Sequence, residues 1–247
     1  MKGDLEVVAR LIAAEEFGSR ATAVAGPAIG QSAIIQDGAL IAGGLPPEIV
    51  ADVLADATAL LDRERSLTLA YGINEIYIES LVPPPHLVVF GAVHIAQELA
   101  PMAKRLGFYV VISDARAAFT TPERFPDADS LLVGWPDQID LAFDRRTYVV
   151  VLSHDARFED PLWPLVLKAP VAYIGAMGSS KTAKRRRERL LAEGFDGEQV
   201  DRIHGPIGLD IGAESPAEVA VAILGEIIET RAKPGVPLDL RGKLTQI

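Results

Sequence analysis

From residue 86 onward, short apolar runs alternate with longer segments in which apolar residues recur at helical spacing. This alternation constrains the fold more than any other feature of the chain. The runs are 87–90, 108–113, 130–133, 147–152 and 171–174. Continuous apolar strands separated by helices are typical of a parallel sheet that helices cover on both faces. We therefore predict a doubly wound α/β domain in this part of the chain.

The first third of the chain predicts a small α/β unit of its own. Asp4 is expected to cap a helix that buries Leu5, Val8, Leu11 and Ile12 on one face. A second helix should begin at Pro46-Pro47 and end near Leu61, and an Asp37-Gly38 turn is typical of a hairpin. The expected strands are 20–25, 31–36, 39–42, 67–71 and 75–81.

Three consecutive prolines, Pro83 to Pro85, separate the two patterns, because prolines stiffen the backbone and cannot continue a sheet. They divide the chain into an N-terminal unit, 1–82, and a second domain, 83–232. The remaining residues, 233–247, contain two prolines and a glycine and are expected to form an irregular tail.

Composition excludes several functions. The net charge is −10 and the isoelectric point is near 4.9, which argues against a general nucleic-acid binder. The chain contains no cysteine, so it can form no disulfide and can supply no thiolate ligand. The first six residues lack the order of a secretion signal, and no apolar run approaches about 18 residues, so we expect a cytoplasmic protein without a membrane span.

The stretch from Ile203 to Gly212 follows neither a helical nor a strand period. Three glycines and a proline fall between Gly205 and Gly212, which predicts a shaped loop. His204 and Asp210 are the polar side chains that such a loop can present to a ligand. A capping box of Ser215 and Glu218, with Pro216 as first helical residue, predicts that a helix follows at once.

A glycine turn from Gly175 to Gly178 follows the predicted strand that ends at Ile174, and Ser179 or Ser180 can start a helix there. Backbone N–H groups at such a helix start favour a phosphate, with Ser179 and Lys181 as side-chain contributors. The same helix carries Arg185, Arg186 and Arg187, for which the alternative is a solvated basic face. The turn lacks the lysine that a Walker loop places after its last glycine, so ATP hydrolysis is not indicated.

An earlier turn, from Phe90 to Ala96, lies where a Rossmann domain places its phosphate loop. Gly91 and His94 are its candidate contacts, and Asp114 follows Gly91 by 23 positions, near the usual offset of the acidic residue that binds a ribose. A β-branched residue, Val93, stands where a second glycine is usual, which disfavours dinucleotide binding in the usual pose. Asp114 and Arg116 either contact a ribose and a phosphate or pair with each other.

Ser153, His154 and Asp155 follow the predicted strand 147–152, which puts them at the carboxyl edge of a parallel sheet, where ligands gather. His154 can orient a ligand oxygen or move a proton. Asp155 can complete a polar pocket, but no spacing of acidic residues specifies a metal. Three adjacent residues give no support for a hydrolase triad, whose members come from separated positions.

Together, the 203–212 loop, the segment 172–179 and Ser153-His154-Asp155 resemble the C-terminal domain of the XdhC/CoxI family, most closely over residues 83–231. The resemblance implies a Rossmann-like domain and a chaperone that inserts the molybdenum cofactor, as molybdopterin or its cytosine dinucleotide, into an apo molybdenum hydroxylase of the xanthine or carbon monoxide dehydrogenase type. By the same resemblance Gly175, Gly178, Ser179 and Lys181 would contact phosphates, and His154, His204 and Asp210 would line the pterin side.

The N-terminal unit departs from the family, whose members carry a glycine-glycine-cysteine motif where this chain has Gly43-Gly44-Leu45. Leucine can neither ligate molybdenum nor carry a persulfide, so a sulfur step is either lost in this protein or left to a partner such as a separate sulfurtransferase. The apolar helix 47–61 would permit a homodimer. Two other interpretations stay open: an oxidoreductase that binds NAD(P) or FAD, and a degenerate interaction protein without catalysis.

Overall fold

The computed structural model describes residues 2–153 and 155–232, which form two compact units, 2–83 and 84–232. Compactness alone does not test whether either unit folds by itself, so the domains 1–82 and 83–232 stay predictions. The tail 233–247 and His154 lie outside the described residues. No helix within the described ranges is long and apolar enough to cross a membrane.

The first unit is an antiparallel sheet of five strands in the order β3-β2-β1-β5-β4, with helix α2 packed against it. At the β2–β3 hairpin Asp37 and Gly38 both have positive φ, as the predicted turn requires. The elements in chain order are α1 (Lys2–Ala13), β1 (Gly18–Ala25), β2 (Ser32–Gln36), β3 (Ala39–Gly43), α2 (Pro47–Leu61), β4 (Leu67–Tyr71) and β5 (Asn74–Leu81).

Helix α1 differs from the prediction. Asp4 lies inside the helix, where its buried carboxylate accepts a 2.6 Å hydrogen bond from the Ser32 hydroxyl. Leu11 is fully buried, but Leu5 and Ile12 are more than half exposed, so the predicted apolar face was wrong. The sheet covers only a narrow stripe of this helix, which the sequence period alone did not reveal.

Helix α2 has the predicted bounds and buries one face, with Ile49, Val53, Ala57 and Leu60 in the core of this unit. Leu45, which the resemblance places where relatives carry a cysteine, joins the same core and is 8% exposed. The leucine therefore has a packing role in this chain.

The second unit contains a parallel sheet of six strands in the order β11-β10-β9-β6-β7-β8, which is the order of a Rossmann fold. The predicted class, an α/β unit followed by a Rossmann-like domain, is confirmed. The elements are β6 (His86–Phe90), α3 (His94–Arg105), β7 (Tyr109–Asp114), β8 (Ser130–Val133), β9 (Thr147–Val151), α4 (Ala156–Glu159), α5 (Trp163–Lys168), β10 (Tyr173–Ala176), α6 (Ser180–Ala192), α7 (Gly197–Asp201), β11 (Ile203–His204) and α8 (Pro216–Ala232).

Each face of this sheet has its own core. On one face Leu87 and Val89 of β6 pack among residues of α3 and α8, such as Leu99 and Ile223. The alternate residues of the strands pack on the other face among α5, α6 and α7. Because all six strands run parallel, the turns that follow them meet at one edge, called here the carboxyl edge.

Two predicted boundaries shift near this edge. Strand β10 begins at Tyr173 and reaches Ala176, so Gly175 lies within the strand rather than in the turn after it. Ile203 and His204 form the short edge strand β11, where a loop was predicted, and pair in parallel with Ile174 and Gly175. This pairing supplies backbone hydrogen-bond partners from a distant segment, so no local period could indicate it.

Candidate functional site

The turn between β6 and α3 is closely packed. Gly91 has φ +117, and a Cβ on it would lie 3.1 Å from the Ser153 nitrogen and 3.2 Å from the Leu152 carbonyl carbon, so any other residue would be strained here. Val93 is half-buried against the core that α3 and α8 share. His94, the first residue of α3, is exposed. Gly91 therefore shapes the turn, and Val93 fills the place next to it.

Asp114, at the end of β7, is buried and its carboxylate is already bonded. One oxygen accepts from the backbone nitrogen and Nε of Arg116, each at 2.9 Å. The other accepts from Arg116 Nη2 at 2.7 Å and from the Ala92 nitrogen at 2.8 Å. Burial raises the pKa of Asp114, but the bonds from Arg116 and Ala92 outweigh burial and leave this pKa below its ordinary value.

The Arg116 guanidinium also lies 4.4 Å from the centre of the Phe119 ring. The pairing of Asp114 with Arg116 is one of the two predicted arrangements. In this arrangement both carboxylate oxygens already accept hydrogen bonds. A ribose hydroxyl would have to displace one of these donors, at the cost of the bond it breaks. The predicted cofactor contacts of Gly91, His94, Asp114 and Arg116 stay predictions.

Asp155 caps the short helix α4, accepting a 3.0 Å hydrogen bond from the Arg157 nitrogen. Arg157 Nη2 lies 2.7 Å from the second carboxylate oxygen. Bonds from Arg157, with a smaller contribution from the charge of Arg116, hold the pKa of Asp155 below its ordinary value. Asp155 thus organises its own loop, and its predicted ligand contact stays a prediction.

The turn between β10 and α6 is built differently. Gly178 has φ +139, and a Cβ there would lie 2.9 Å from the Thr182 side chain. Ser179 is the N-cap of α6, as predicted: its hydroxyl accepts from the Thr182 nitrogen at 3.2 Å. Both Ser179 and Lys181 are exposed. The first backbone N–H groups of α6 therefore lie at the carboxyl edge, next to exposed side chains.

This second turn borders a cavity of about 300 Å³, called here the α6–α8 cavity. Gly178 and Ser179 form one wall, and Met177, Ile207 and Val219 form apolar walls. A polar helix start facing apolar walls is typical of a pocket for a flat ligand with an anionic group.

Gly175 lies in β10, and a Cβ there would collide with the Tyr173 hydroxyl and with the side chain of Ile207, which lines this cavity. The absence of a side chain on Gly175 therefore makes room for a polar network in the strand. Gly175 was expected in the turn, but β10 extends through it, and its predicted phosphate contact stays a prediction.

Three side chains form that network: Tyr173, His204 and Glu226. The Tyr173 hydroxyl donates to Glu226 at 2.5 Å, and Nδ1 of His204 lies 3.2 Å from the other carboxylate oxygen. The Gly208 nitrogen adds a 2.9 Å bond, and the Tyr173 and His204 ring centres are 4.8 Å apart. Glu226 thus joins β10, β11, the 205–212 segment and α8.

Electrostatics favour an ionised Glu226. Burial raises its pKa, but bonds from His204, Tyr173 and Gly208 outweigh burial and leave the pKa below its ordinary value. Burial and the bond to Glu226 raise the pKa of the Tyr173 hydroxyl, which therefore stays protonated as the donor. An ionised carboxylate accepts a hydrogen bond from Nδ1–H of His204, so Nε2 is the nitrogen left for a ligand.

Sequence reasoning missed Glu226, although one signal was available. Glu226 interrupts an otherwise apolar stretch of α8 from Val219 to Ile228, and its neighbours Ile223 and Ile227 are fully buried. A carboxylate on the buried face of a helix requires a partner.

The other residues predicted from the 203–212 segment and from α6 do not all meet here. Asp210 is exposed, and Gly205 packs toward Ala183 of α6. Arg186 does not belong to a solvated basic face: it is 6% exposed and pairs with buried Glu159 at 3.2 Å. Arg185 and Arg187 are exposed, as that alternative expected.

A larger cavity, of about 610 Å³, lies in the first unit between the start of α2 and the β4–β5 turn. Glu48 and Asp52 of α2 both line it. Two carboxylates disfavour an anionic ligand, so this cavity is the weaker candidate for a phosphate-bearing cofactor.

This chain is similar to proteins of one known family and to several named relatives. The XdhC Rossmann domain family matches residues 87–227, more than half of the chain. One relative, from Bacillus subtilis, is named as a probable xanthine dehydrogenase subunit; it is 33% identical over 165 residues, covering 66% of this chain and 48% of that protein. The Escherichia coli molybdenum cofactor insertion chaperone PaoD is 27% identical over 149 residues, covering 60% and 41%.

The chain spans less than half the length of these curated relatives. A crystal structure described as a xanthine dehydrogenase from Bacillus halodurans superposes with a TM-score of 0.72 at 21% identity, covering 96% of this chain and 66% of that one. At this identity the likeness shows the fold alone. The match over residues 87–227 confirms the resemblance found in the sequence, and the chain belongs to the family defined by the XdhC Rossmann domain.

Proposed function

We propose that this chain is an accessory protein in the maturation of a molybdenum hydroxylase, and that it binds the pterin cofactor as cargo at the carboxyl edge. Membership of the XdhC family and the name of the chaperone relative support this role. Because the chain spans less than half of those relatives, the proposal rests equally on its own site.

The observation that carries the proposal is the α6–α8 cavity, in which a helix start and apolar walls face each other. Its volume of about 300 Å³ is at the lower end of small-molecule pockets, enough for a flat bicyclic ring. The start of α6 and the Ser179 hydroxyl suit a terminal phosphate. The residues present therefore fit a pterin that carries a phosphate.

Each side chain has a separate task in this proposal. Gly178 and Ser179 contact the phosphate, and exposed Lys181 in the first turn of α6 adds positive charge near it. Ile207 and Val219 cover the ring. His204 is 31% exposed and offers Nε2 to a polar edge of the ligand, while Glu226 orients the imidazole.

Transfer of the cargo requires partners. The client is an apo molybdenum hydroxylase, and any sulfur step falls to a separate sulfurtransferase, because this chain has no cysteine and Leu45 occupies a core position. Molybdopterin and its cytosine dinucleotide are both candidate cargoes. A homodimer and a cytoplasmic location stay predictions.

Mass spectrometry of small molecules released from freshly purified protein tests the proposal, using cells that synthesise the cofactor. We expect a pterin, and we expect at least a tenfold loss of its affinity, about 1.4 kcal/mol, when Ser179, Lys181 and His204 are changed together to alanine. The matched control changes Ser130, Lys168 and His86, all away from the carboxyl edge, to alanine. Unchanged affinity in a folded triple variant would remove this site.

Titration with NAD, NADP and FAD separates this role from that of an oxidoreductase. Micromolar binding of any of them would favour the oxidoreductase. Val93 and the Asp114–Arg116 pair argue against it, because they fill the turn where such a ligand places its pyrophosphate and ribose. Release of neither a pterin nor a dinucleotide would favour the interaction protein instead.

A further inference from the structure

A second cavity lies on the opposite face of the sheet from α8, between α6, α7 and β11, and is called here the α6–α7 cavity. Its volume is about 360 Å³, and it shares no lining residue with the α6–α8 cavity. Its lining residues are Ser180, Ala183, Lys184, Arg186, Arg187, Val200, Asp201, Ile203, Gly205 and Pro206.

Arg186 is the unusual member of this lining. Its Nε and Nη2 donate to Glu159 at 3.3 and 3.2 Å, and Nη2 also donates to the Met177 carbonyl at 3.0 Å. Nη1 has no hydrogen-bond partner within the part of the chain that the structure describes, although its residue is 94% buried. Nη1 lies 3.8 Å from the place of a Cβ on Gly205, which also lines the cavity.

A buried guanidinium N–H without an acceptor is unfavourable, so a ligand that brings an acceptor is stabilised there. Glu159 balances the charge of Arg186, but Lys184 and Arg187 stand exposed at the same cavity. Asp201 pairs with Arg187 at 3.0 Å and balances its charge. The positive charge of Lys184 is then the one that favours an anion in the cavity. Lys184 lies 4.0 Å from exposed Glu188, a weak surface pair.

The remaining walls are apolar and come from three elements. Ala183 belongs to α6, Val200 to α7 and Ile203 to β11, and Pro206 closes the side next to Gly205. Such walls favour a flat or branched hydrocarbon body over a free inorganic ion, whose charge they cannot solvate.

We propose that the α6–α7 cavity binds a small organic anion, a carboxylate or phosphate monoester on an apolar body, through Nη1 of Arg186 and the charge of Lys184. The site is separate from the proposed cofactor site, and its ligand is a second, smaller molecule. Its binding would act on the Gly205-Pro206 segment, which links this cavity to the His204 network.

Phenyl phosphate is the probe, observed by nitrogen-15 NMR on the folded full chain. We expect saturable shifts at Ala183, Val200, Gly205 and the Arg186 guanidinium, and at least tenfold weaker binding of phenol, which lacks the charge. Shifts confined to Gly178 and Ser179 would place the anion in the other cavity and overturn the proposal.

Matched variants make the test specific. Lys184→Ala should weaken phenyl phosphate at least fivefold, whereas Arg185→Ala, which removes the same charge from the next residue of α6 outside this lining, should leave its affinity unchanged. Ala183→Leu fills the cavity and should abolish the shifts at Val200 and Gly205. Equal losses from Lys184→Ala and Arg185→Ala, or full binding by a folded Ala183→Leu variant, would overturn the proposal.

Discussion

The turns after β6 and β10 both lead from a parallel strand into a helix, but they differ in what surrounds them. The turn after β6 is filled: Gly91 lies close to Leu152 and Ser153, which follow β9, Val93 packs against the core, and Asp114 binds Arg116 and the Ala92 nitrogen. The turn after β10 borders a cavity, and Ser179 there faces solvent.

The fold alone therefore does not determine which of its equivalent turns binds a ligand. A Rossmann sheet offers several helix starts at its carboxyl edge, and side chains close or open each of them. Here an aliphatic residue and an ion pair close the turn where a dinucleotide usually lies. Binding is therefore expected one sheet position away from the switch point, beside β10.

The largest effect is expected where the first turn is tightest. Gly91→Ala should lower the free energy of unfolding by about 3 kcal/mol, because φ +117 is strained for any other residue and a Cβ would press on backbone atoms at 3.1–3.2 Å. Gly107→Ala is the control: φ is +84, but nothing lies within 4 Å, so about 1 kcal/mol is expected. Urea unfolding measures both, and equal losses would contradict a closed first turn.

Glu226→Gln should have the next largest effect, about 2 kcal/mol at neutral pH, because three donors converge on the carboxylate and an amide cannot accept all of them. The folded pKa lies below the unfolded one, so this stability is present above about pH 4.3 and is lost as pH falls through the folded pKa. The free energies of unfolding of the parent and of Glu226→Gln, measured against pH, should therefore converge at acid pH.

Glu229→Gln is the control for that variant, because Glu229 is an exposed residue on the same helix. Its free energy of unfolding should stay within about 0.5 kcal/mol of the parent. A loss as large as that of Glu226→Gln would show that the effect comes from the charge of the helix rather than from the network.

Removing the groups that fill the first turn should improve its binding of a dinucleotide. Val93→Gly combined with Arg116→Ala should tighten NAD binding at least tenfold relative to the parent, about 1.4 kcal/mol, because the two changes vacate the places of the pyrophosphate and the adjoining charge. Each single change should gain less. Isothermal titration measures the affinities, and no gain in the folded double variant would mean that other residues close the turn.

The smallest effect is expected at the second turn. Ser179→Ala removes the hydroxyl that accepts from the Thr182 nitrogen and should cost about 1 kcal/mol of unfolding free energy. Ser180→Ala, one residue later, should cost less than half of that. Thermal unfolding distinguishes the two, and identical shifts would remove Ser179 as the cap.

Local sequence patterns predicted most elements of both units. The hairpin at Asp37-Gly38, helix α2 and the Ser215–Glu218 capping box follow from residues within one or two turns of each other, and the structure contains all three. The position of Ser179 at the start of α6 follows in the same way. In these cases local backbone preferences and the fold agree.

The predictions that were wrong concern residues whose environment is set by a distant segment of the chain. The narrow buried stripe of α1 depends on the sheet beneath it, and strand β11 exists because β10 offers it backbone partners. Arg186 lies in a basic run typical of a solvated face, yet Glu159, 27 positions earlier, draws it into the interior. The spacing of apolar residues in the local sequence indicates none of these contacts.

Neighbouring residues were enough to predict the alternation of strands and helices, the family and the polar residue types at the carboxyl edge. Those properties depend on the period of buried residues and on turn chemistry, both of which are local features of the sequence. For Asp114 and Arg116 the sequence left two arrangements open, and the structure contains the ion pair. The contacts of Glu226 with His204 and Tyr173 came from the tertiary structure alone, because these partners lie 22 and 53 positions from Glu226 along the chain and meet through hydrogen bonds of a few ångströms.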